Sequence, residues 1–388
     1  MRILYGVVGE GMGHATRSRV LLEHLAARGH EVKVVVSGRA HRFLTEKLAH
    51  LPQISVQEIH GLSLVYQGNR VDKSASLKHN VLHAGKGIRK NIRAYRKVAE
   101  AGFMPELVIS DFESWAALYA LNHFLPVISV DNMQIINRCE HPRRLLRAKG
   151  EPKGPFRMAK LAVKAKIPGA YHYLVSSFFF PPVRKKRTTL VGPILRPEIL
   201  QAAREPGEHV LVYQTQAANP ELLAQLGKLP YEFRVYGLGQ EGSQKNLTMR
   251  PFSERGFVED LRTARAVIAG GGYSLMSEAV HLGVPLYSVP VEQQFEQELN
   301  ARYLKELGYG DWARELDLAR VEDFLEETDA HAQALESYPR QDNSQLFRLV
   351  DELIERRARG EARPVRLESP SMGSYGAAPA AEAREDGE

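Results

Sequence analysis

One segment limits the fold of this chain more than any other: a short apolar run, three consecutive glycines and a stretch with helical spacing follow one another directly. The apolar run is Ala266–Ala269, the glycines are Gly270–Gly272, and the helical spacing continues to Gly283. A strand that enters a helix through a glycine turn is typical of α/β proteins, where it presents backbone N–H groups to a phosphate. The helix N-terminus adds about half a positive charge there. The segment therefore predicts an α/β fold with an anion-binding turn.

A polar segment follows this turn. The apolar run Pro285–Val289 predicts the next strand, and Glu292–Asn300 after it is rich in carboxylate and amide groups. We interpret Glu292–Asn300 as a loop that holds a hydroxylated ligand. A turn for a phosphate beside a loop for hydroxyl groups indicates a nucleotide-sugar.

Strand and helix patterns alternate in two successive series. In the first series, strands are predicted at Ile3–Val8, Glu31–Ser37, Ile54–Ile59, Leu107–Ser110 and Val127–Val130, and helices at Ala15–Arg28, Gly85–Ala101 and Ser114–Phe124. In the second, strands are predicted at His209–Tyr213, Phe233–Tyr236 and Leu247–Arg250, and helices at Pro220–Leu226 and Val258–Ala264. Apolar strands separated by helices indicate parallel sheets covered on both faces. The predicted fold class is α/β, with two doubly wound, Rossmann-like domains facing each other across a cleft that receives the ligands.

Breaks in composition predict the domain boundaries. The stretch Val191–Pro197 contains two prolines and a glycine, which is typical of a linker. We predict an N-terminal domain over residues 1–192, a linker over 193–206, a C-terminal domain over 207–340 and a final helix over 341–359. Residues 360–388, rich in Pro, Ala, Gly and Glu, are expected to be a disordered tail.

Charge is distributed unevenly between the two halves of the chain. Residues 1–200 contain 32 Lys and Arg against 14 Asp and Glu, whereas residues 201–388 contain 20 against 32. Such an asymmetry indicates that the halves face different partners, and for the basic half we predict an anionic membrane surface or an anionic acceptor. Two solvated surfaces that merely differ in charge are the alternative. No aromatic and basic nucleic-acid motif occurs, so no nucleic-acid partner is expected.

One basic stretch has internal order. From Arg138 to Lys166 the chain has ten basic residues and two glutamates. Within it Lys153, Arg157, Lys160 and Lys164 recur at helical spacing beside an apolar stripe of Phe156, Ala159, Val163 and Ile167. A helix lying in a membrane interface has this layout, and a helix packed on the protein surface gives the same stripe.

Several protein classes are excluded by composition. No apolar run approaches the roughly 20 residues that span a bilayer, and the N-terminus lacks a signal-peptide layout. The single cysteine, Cys139, excludes an internal disulfide framework and fits a reducing compartment. We therefore expect a cytoplasmic protein, peripheral on the inner face of the cytoplasmic membrane.

Two sets of motifs resemble a known family. The C-terminal set comprises Gly270–Gly272, Glu278, Gly283–Pro285, Val289–Pro290, Gln297 and Asn300–Ala301, and the N-terminal one is Gly9-Glu-Gly-Met-Gly-His14-Ala-Thr-Arg17. Together they resemble the GT-B glycosyltransferases, most closely the group of the peptidoglycan N-acetylglucosaminyltransferase, the diacylglycerol glucosyltransferases and the UDP-glucuronosyltransferase-like enzymes. The resemblance implies a C-terminal domain that binds a UDP-sugar donor, an N-terminal domain that binds the acceptor, and a final helix that crosses back to the first domain.

The resemblance also assigns donor-binding residues. It implies that Glu278 accepts both ribose hydroxyls, and that the backbone of Gly271, Gly272 and Tyr273 with the Ser274 hydroxyl holds the pyrophosphate. Phe257 falls where the family caps the uracil, Glu296 and Gln297 where it holds sugar hydroxyls, and Asn300 where it braces that segment. The loop Tyr213–Ala217 lacks the glycines of many relatives, and Thr215 or Gln216 would have to substitute. A glutamate favoured by the helix dipole and a core phenylalanine remain alternatives for Glu278 and Phe257.

Catalysis is predicted at the N-terminal glycine turn. His14 is the candidate base, since a helix N-terminus disfavours imidazolium and keeps the ring able to take a proton; a structural or phosphate-binding histidine is the alternative. Asp111, at the end of the strand Leu107–Ser110, is the candidate that orients the ring, with a helix N-cap as its alternative role. Gly11, Gly13 and Arg17 are predicted on the acceptor or phosphate side, with a plain surface arginine as the alternative for Arg17.

The predicted reaction is transfer of a sugar from a UDP-sugar to an acceptor hydroxyl of a membrane lipid, with inversion. No metal and no further cofactor are expected, because the glycine turn and the helix dipole can stabilise the leaving diphosphate. Two alternatives remain open: a UDP-sugar epimerase of the same fold and a non-catalytic UDP-sugar-binding protein.

Overall fold

The computed structural model describes residues 1–9, 11–61, 65–67, 70–100, 102–148, 150–214, 220–251 and 253–361. The strands are β1 Arg2–Val7, β2 Glu31–Val36, β3 Ile54–Glu58, β4 Val65–Gln67, β5 Arg70–Asp72, β6 Leu107–Asp111, β7 Val127–Asp131, β8 His172–Ser176, β9 Thr188–Val191, β10 Val210–Tyr213, β11 Phe233–Tyr236, β12 Gly242–Gln244, β13 Leu247–Met249, β14 Ala266–Ala269, β15 Leu286–Ser288 and β16 Gly310–Trp312. The helices are α1 Met12–Ala27, α2 Gly38–Lys47, α3 Lys73–Glu100, α4 Ser114–Asn122, α5 Ile135–Arg138, α6 Arg143–Leu146, α7 Gly154–Lys166, α8 Pro197–Leu200, α9 Pro220–Leu226, α10 Glu254–Thr263, α11 Tyr273–Leu282, α12 Phe295–Glu306, α13 Leu318–Glu326, α14 Thr328–Glu336 and α15 Ser344–Ala358.

The first half of the chain forms one parallel sheet with the strand order β3-β2-β1-β6-β7-β8-β9. Its central strands β6 and β7 are buried along their whole length, which is why they read as continuous apolar runs. The order reverses beside β1, whose neighbour on one side is β2 and on the other β6. At such a switch point the loops after the strands diverge and leave a crevice for a ligand.

The second half forms a separate seven-stranded sheet with the order β12-β13-β11-β10-β14-β15-β16. Its strands are parallel except for the antiparallel pair β12 and β13. The glycine turn follows β14, which lies beside β10 at the switch point of this sheet. The prediction of an α/β fold with two doubly wound sheets is confirmed.

The last helix returns to the first domain. The apolar side chains of α15, among them Leu349, Val350 and Leu353, belong to one buried cluster with Ile3 of β1 and Leu21 of α1. This confirms the predicted crossing of the final helix. The side chain of Asn343 also clamps the interdomain linker, since it accepts from the N–H of Leu195 and donates to the carbonyl of the same residue.

Two predicted segments have different boundaries. The basic helix expected at Gly85–Ala101 begins twelve residues earlier, at Lys73, because no proline interrupts that stretch and a glycine is tolerated inside a helix. The polar loop expected at Glu292–Asn300 is helical from Phe295 onward. There Leu299 and Tyr303, four positions apart, are buried on one side, so the polar groups share a helix with a core-facing side.

Candidate active site

The base candidate and its orienting carboxylate lie at the carboxyl ends of neighbouring strands. His14 is in the first turn of α1, directly after β1, and Asp111 is the last residue of β6. The two strands pair with Val7 opposite Asp111, which brings the turn after β1 over the end of β6. The side chain of Glu113 caps α4 by accepting from the N–H of Ala116. Asp111 is therefore not the helix cap that remained as its alternative role.

Asp111 accepts four hydrogen bonds. Its Oδ1 lies 2.8 Å from Nδ1 of His14 and 2.5 Å from Nη2 of Arg17, and its Oδ2 accepts from Nε of Arg17 at 2.8 Å and from Oγ of Ser18 at 3.0 Å. A carboxylate has about four acceptor positions, and these four partners fill them. Nη2 of Arg17 and Nδ1 of His14 thus share Oδ1 of Asp111 as their partner, and they lie 2.6 Å from each other. When Nδ1 carries the proton toward Asp111, Nε2 keeps its lone pair.

The charges around His14 favour the neutral ring. Burial and the guanidinium of Arg17 lower the pKa of His14, and Asp111 only partly opposes them. The same arginine and His14 hold the pKa of Asp111 well below its usual range despite its burial. Near neutral pH the pair is therefore a neutral imidazole beside a carboxylate, which is the state of a base and its orienting partner.

Arg17 is buried rather than displayed on a surface. Its side chain is 4% exposed, and besides the bonds to Asp111 it donates from Nη1 to Oδ1 of Asn132 at 2.6 Å. The alternative of a plain surface arginine is therefore wrong. The guanidinium also lies close to Nδ1 of His14 and 5.7 Å from the ring centre of Tyr273, and its predicted contact with a phosphate stays a prediction.

Two helix N-termini face each other across the cleft. α1 begins after Gly11 and α11 after Gly272, and neither cap residue has a side chain that satisfies the first N–H groups. Gly11 has φ 81°, a conformation that favours glycine. A Cβ on Gly13 would collide with the hydroxyl of Ser274, which shows how closely the two first turns approach. Neither first turn contains an acidic residue that would offset the positive end of its helix dipole.

The glycine turn is braced from α12. The Gln297 side chain accepts from the N–H of Gly271 at 3.1 Å and from that of Val291 at 3.0 Å, and Asn300 donates to the carbonyl of Gly271. The N–H of Gly271, predicted to hold pyrophosphate, is thus already bonded. Gln297, predicted on the sugar, is engaged as a brace together with Asn300. Both ligand contacts remain predictions.

The two adjacent glycines of this turn make a matched pair for mutation. A Cβ on Gly271 would lie 2.5 Å from the backbone oxygen of Gln297, whereas a Cβ on Gly272 meets nothing within 4 Å. Gly271→Ala is therefore expected to lower the free energy of unfolding by about 1–3 kcal/mol, and Gly272→Ala by clearly less. Chemical denaturation of both variants checks this. Equal unfolding midpoints would contradict the close packing of the turn on α12.

Glu278 lies in a buried ion pair. Its two carboxylate oxygens accept from Nε and Nη2 of Arg196, at 2.8 and 2.9 Å, and the two side chains are 10% and 8% exposed. Burial raises the pKa of Glu278, and the arginine opposes this shift. Arg196 comes from the interdomain linker, 82 residues earlier, and the sequence patterns gave no sign of it.

Phe257 is a core side chain. It is 6% exposed, and its ring meets those of Tyr213 and Tyr236 edge-on at centroid distances of 5.5 and 5.1 Å. The environment of Phe257 therefore matches the alternative, a core phenylalanine. It does not match the prediction that the ring offers an open face to the uracil. Thr215 and Gln216, considered as substitutes for the missing glycines, lie outside the described residues.

Glu296 connects the two domains. Its Oε1 accepts from Asn132 of the first domain and from Asn300 of the second, each at 2.7 Å. Burial raises the pKa of Glu296 to about 7, although both amides and Arg17 oppose the shift. Asn132 thus joins Glu296 to Arg17 and the His14–Asp111 pair. It directly follows β7, and a polar residue after a predicted buried strand is a signal that could have found it.

Tyr273 makes a further contact between the domains. Its hydroxyl lies 2.6 Å from that of Ser176, at the end of β8, and its ring is buried.

Within the described ranges, no three His, Cys, Asp or Glu side chains converge as metal ligands would. The helices in those ranges include none that is long and apolar enough to cross a bilayer.

Comparison with known proteins decides the family. The model of glycosyl transferase family 1 matches residues 1–328. The chain belongs to this glycosyltransferase family. It is similar to two proteins described as uncharacterized glycosyltransferases, from Methanosarcina acetivorans and Methanosarcina mazei, with 27% and 26% identity. Each alignment covers 80% of this chain and 85% of the relative.

Solved structures show that this glycosyltransferase has the GT-B fold. The calicheamicin glycosyltransferase CalG4 superposes with a TM-score of 0.62 at 18% identity, over 92% of this chain and 99% of that one. UGT89C1 of Arabidopsis thaliana, complexed with UDP-L-rhamnose, gives 0.61 at 17%, over 91% and 98%. LpCGTa, in complex with UDP, gives 0.58 at 15%, over 92% and 98%. At these identities the likeness concerns the fold alone.

The candidate site of this glycosyltransferase therefore combines parts from both domains. The first domain contributes a neutral histidine held by a carboxylate, and the second a braced glycine turn at a helix N-terminus. Together they can take a proton from one group while stabilising negative charge on another, as group transfer to a hydroxyl requires.

Proposed function

We propose that this glycosyltransferase transfers a sugar from a UDP-sugar to an acceptor hydroxyl, with inversion at the anomeric carbon and without a metal ion. The observation that carries the proposal is the meeting of α1 and α11, which sets His14 beside the N-terminus of the donor-side helix. The base and the group that receives the leaving diphosphate then belong to opposite sides of one cleft.

Each chemical step has a residue for it. Nε2 of His14 takes the acceptor proton as the acceptor oxygen bonds to the anomeric carbon. The bond from that carbon to the diphosphate oxygen breaks, and the backbone N–H groups and dipoles at the starts of α1 and α11 stabilise the charge that develops. Attack from the side opposite the leaving group inverts the configuration.

A uridine nucleotide is supported by the setting of Glu278 and by two fold relatives. Glu278 lies on α11 five residues after Tyr273, one turn deeper than the glycine turn. A carboxylate matches a vicinal diol such as that of ribose, because each of its oxygens can accept one hydroxyl. Two of the solved relatives are complexes with UDP or UDP-L-rhamnose.

The acceptor we propose is a lipid at an anionic membrane surface, but the predicted stripe does not make the contact. Val163 and Ile167 of that stripe are buried, and Phe156 packs against Phe295 of the second domain at 5.5 Å between ring centroids. The stripe is therefore used for packing, as its alternative interpretation had it. Glu151, just before it, forms ion pairs with Arg302 and Arg314.

Other side chains offer an apolar surface on the same domain. The large apolar side chains found exposed among the described residues all belong to the first domain. They are Val81, Leu82, Ile88 and Ile92 of α3, Met104, Leu118 and Leu121 of α4, Phe124, and Met158 and Leu161 of α7. We call the eight of these residues that belong to α3, to α4 or to the segments directly after them the exposed apolar face. Tyr95 of α3 packs on Trp115 and Tyr119, which places α3 and α4 side by side.

Basic side chains border this exposed apolar face. Val81, Ile88 and Ile92 recur on one side of α3, and Lys78, Arg89, Arg93 and Arg96 are exposed on the adjoining side. An apolar stripe beside a basic one is the layout of a helix at an anionic bilayer surface, where apolar groups enter the interface and cations meet the headgroups.

The test combines donor, acceptor and membrane. The purified protein is incubated with individual UDP-sugars and membrane lipid extract, and products are identified by mass spectrometry. We expect UDP release that depends on an acceptor, a glycosylated lipid, and sedimentation with vesicles containing anionic phosphatidylglycerol but weaker sedimentation with phosphatidylcholine alone. Release without an acceptor would indicate an epimerase or hydrolase, and UDP-sugar binding without any product a sensor.

A pair of single-charge variants checks the membrane part. Leu121→Glu adds a negative charge to the exposed apolar face and is expected to weaken vesicle sedimentation. Gln333→Glu adds the same charge to an exposed position of α14 in the second domain and should leave it unchanged. Equal sedimentation of both variants, or activity only on water-soluble acceptors, would contradict the lipid acceptor and leave the glycosyltransferase chemistry standing.

A further inference from the structure

The linker between the two domains reaches into the proposed donor site through one side chain. Arg196 lies at the start of α8, and its neighbour Leu195 is clamped through both its backbone N–H and its carbonyl by Asn343. The guanidinium is therefore projected from a segment whose backbone is fixed. It pairs with Glu278 through two parallel hydrogen bonds, the geometry in which arginine holds a carboxylate in one orientation.

We propose that Arg196 is a positioning residue of the donor site: its guanidinium fixes the Glu278 carboxylate so that one acceptor position on each oxygen remains for the two ribose hydroxyls. The inference rests on the proposed role of Glu278 as the ribose carboxylate. A carboxylate has about four acceptor positions and the two-pronged arginine uses one on each oxygen, which leaves two for a diol.

The surroundings explain why Glu278 needs this partner. The carboxylates of Glu198 and Glu254 lie near it and disfavour its charge, as burial does. Those two acids have cations of their own, since Arg19 pairs with Glu198 at 3.0 Å and Lys47 pairs with Glu254. Arg196 is the cation that bonds directly to Glu278. Without it the buried carboxyl would bind a proton more readily and lose its fixed orientation.

The test compares two nucleotides that differ by one hydroxyl. UDP and 2′-deoxy-UDP share the base and the diphosphate, so the ratio of their dissociation constants isolates the contact to the 2′-hydroxyl. For the wild-type protein we expect UDP to bind about tenfold or more tightly than 2′-deoxy-UDP, as for a hydrogen bond to a charged group. For Arg196→Met we expect the ratio to fall toward one, as for Glu278→Gln, and for Arg196→Lys an intermediate ratio, because lysine keeps the charge without the planar fork.

A linker variant separates this role from a structural one. Arg204 belongs to the same linker and donates to the carbonyl of Arg262, away from Glu278. Arg204→Met is expected to keep the wild-type ratio even if it lowers stability. Isothermal titration on variants with checked thermal unfolding gives the constants.

The possible outcomes distinguish three cases. If Arg196→Met keeps the wild-type ratio, Arg196 does not position the ribose carboxylate. If it binds UDP more tightly than the wild type, the arginine blocks the site and the proposal is overturned. If the wild-type protein binds neither nucleotide, the proposed UDP-sugar donor fails first, which is a different result from an unchanged ratio.

Discussion

Replacing His14 with alanine is expected to lower kcat by about a hundredfold to ten-thousandfold, the usual contribution of a general base. UDP should still bind with near wild-type affinity, because the imidazole ring makes none of the proposed nucleotide contacts, which come from the second domain and from the backbone at the start of α1. The expected loss of kcat follows from the geometry of the His14–Asp111 pair: Nδ1 faces Asp111 at 2.8 Å, and 18% of the histidine side chain remains exposed. Initial rates at saturating donor and acceptor, together with a UDP titration, measure both quantities.

The same helix provides a matched control. His24 also forms a pair with an aspartate, from its Nε2 to Oδ1 of Asp351 at 2.9 Å, and its ring stacks on Phe347. It lies near the other end of α1, away from the cleft. His24→Ala therefore removes a similar His–Asp contact and is expected to leave kcat within about twofold of the wild type. Equal losses in both variants would mean that α1 was damaged and not that a base was removed.

The pH dependence of the wild-type reaction has a definite sign. A base works in its neutral form, and both burial and Arg17 lower the pKa of His14. Turnover should therefore be independent of His14 ionisation near pH 7 and fall only as the pH drops below the usual histidine value of about 6.5. Lys166 adds to the lowering and Asp111 opposes it. Glu296 also titrates in this range, since burial raises its pKa to about 7, so an acid limb above pH 6.5 that persists in Glu296→Gln would contradict the assignment of His14 as the base.

The parts predicted from sequence are those that depend on neighbours along the chain. The strand–glycine–helix turn at Gly270–Gly272 and the turn that carries His14 are each set by about ten consecutive residues. The position of Asp111 beside His14 followed from a general rule, because parallel strands end at one edge of their sheet. The observed 2.8 Å contact is thus the outcome of local patterns plus sheet topology.

The features that the sequence did not predict depend on contacts between segments far apart along the chain. The stripe containing Phe156 and Val163 has a period that suits a membrane interface and a packed helix equally, and only the presence of Phe295 decides between them. For the same reason Gln297 could not be recognised as a brace of Gly271, nor Arg196 as the partner of Glu278. Gln297 lies 26 positions from Gly271, and Glu278 lies 82 positions from Arg196.

Asp111→Ala is expected to have the second large effect, on stability as well as on activity. Asp111 and Arg17 are 1% and 4% exposed, so removal of the carboxylate leaves a buried guanidinium without its counter-charge. Breaking a buried ion pair in this way costs about 3–5 kcal/mol of the free energy of unfolding. Since its pairing holds the pKa of Asp111 below the usual range, this stability is present at neutral pH and declines as the pH falls toward that lowered pKa.

A double-mutant cycle separates the ion pair from a contact between Arg17 and a phosphate. Arg17→Met alone leaves Asp111 buried and uncompensated, so it too is expected to be strongly destabilising, whereas Arg17→Met with Asp111→Ala removes both charges together. The double variant should therefore lose less stability than the sum of the single variants, with a coupling free energy of about 1–3 kcal/mol by chemical denaturation. If the arginine instead serves a phosphate, Arg17→Met will weaken UDP binding while the two stability changes simply add. That outcome would support the predicted contact between Arg17 and a phosphate. A large coupling free energy would instead indicate that Arg17 stabilises the Asp111 carboxylate in its position beside His14.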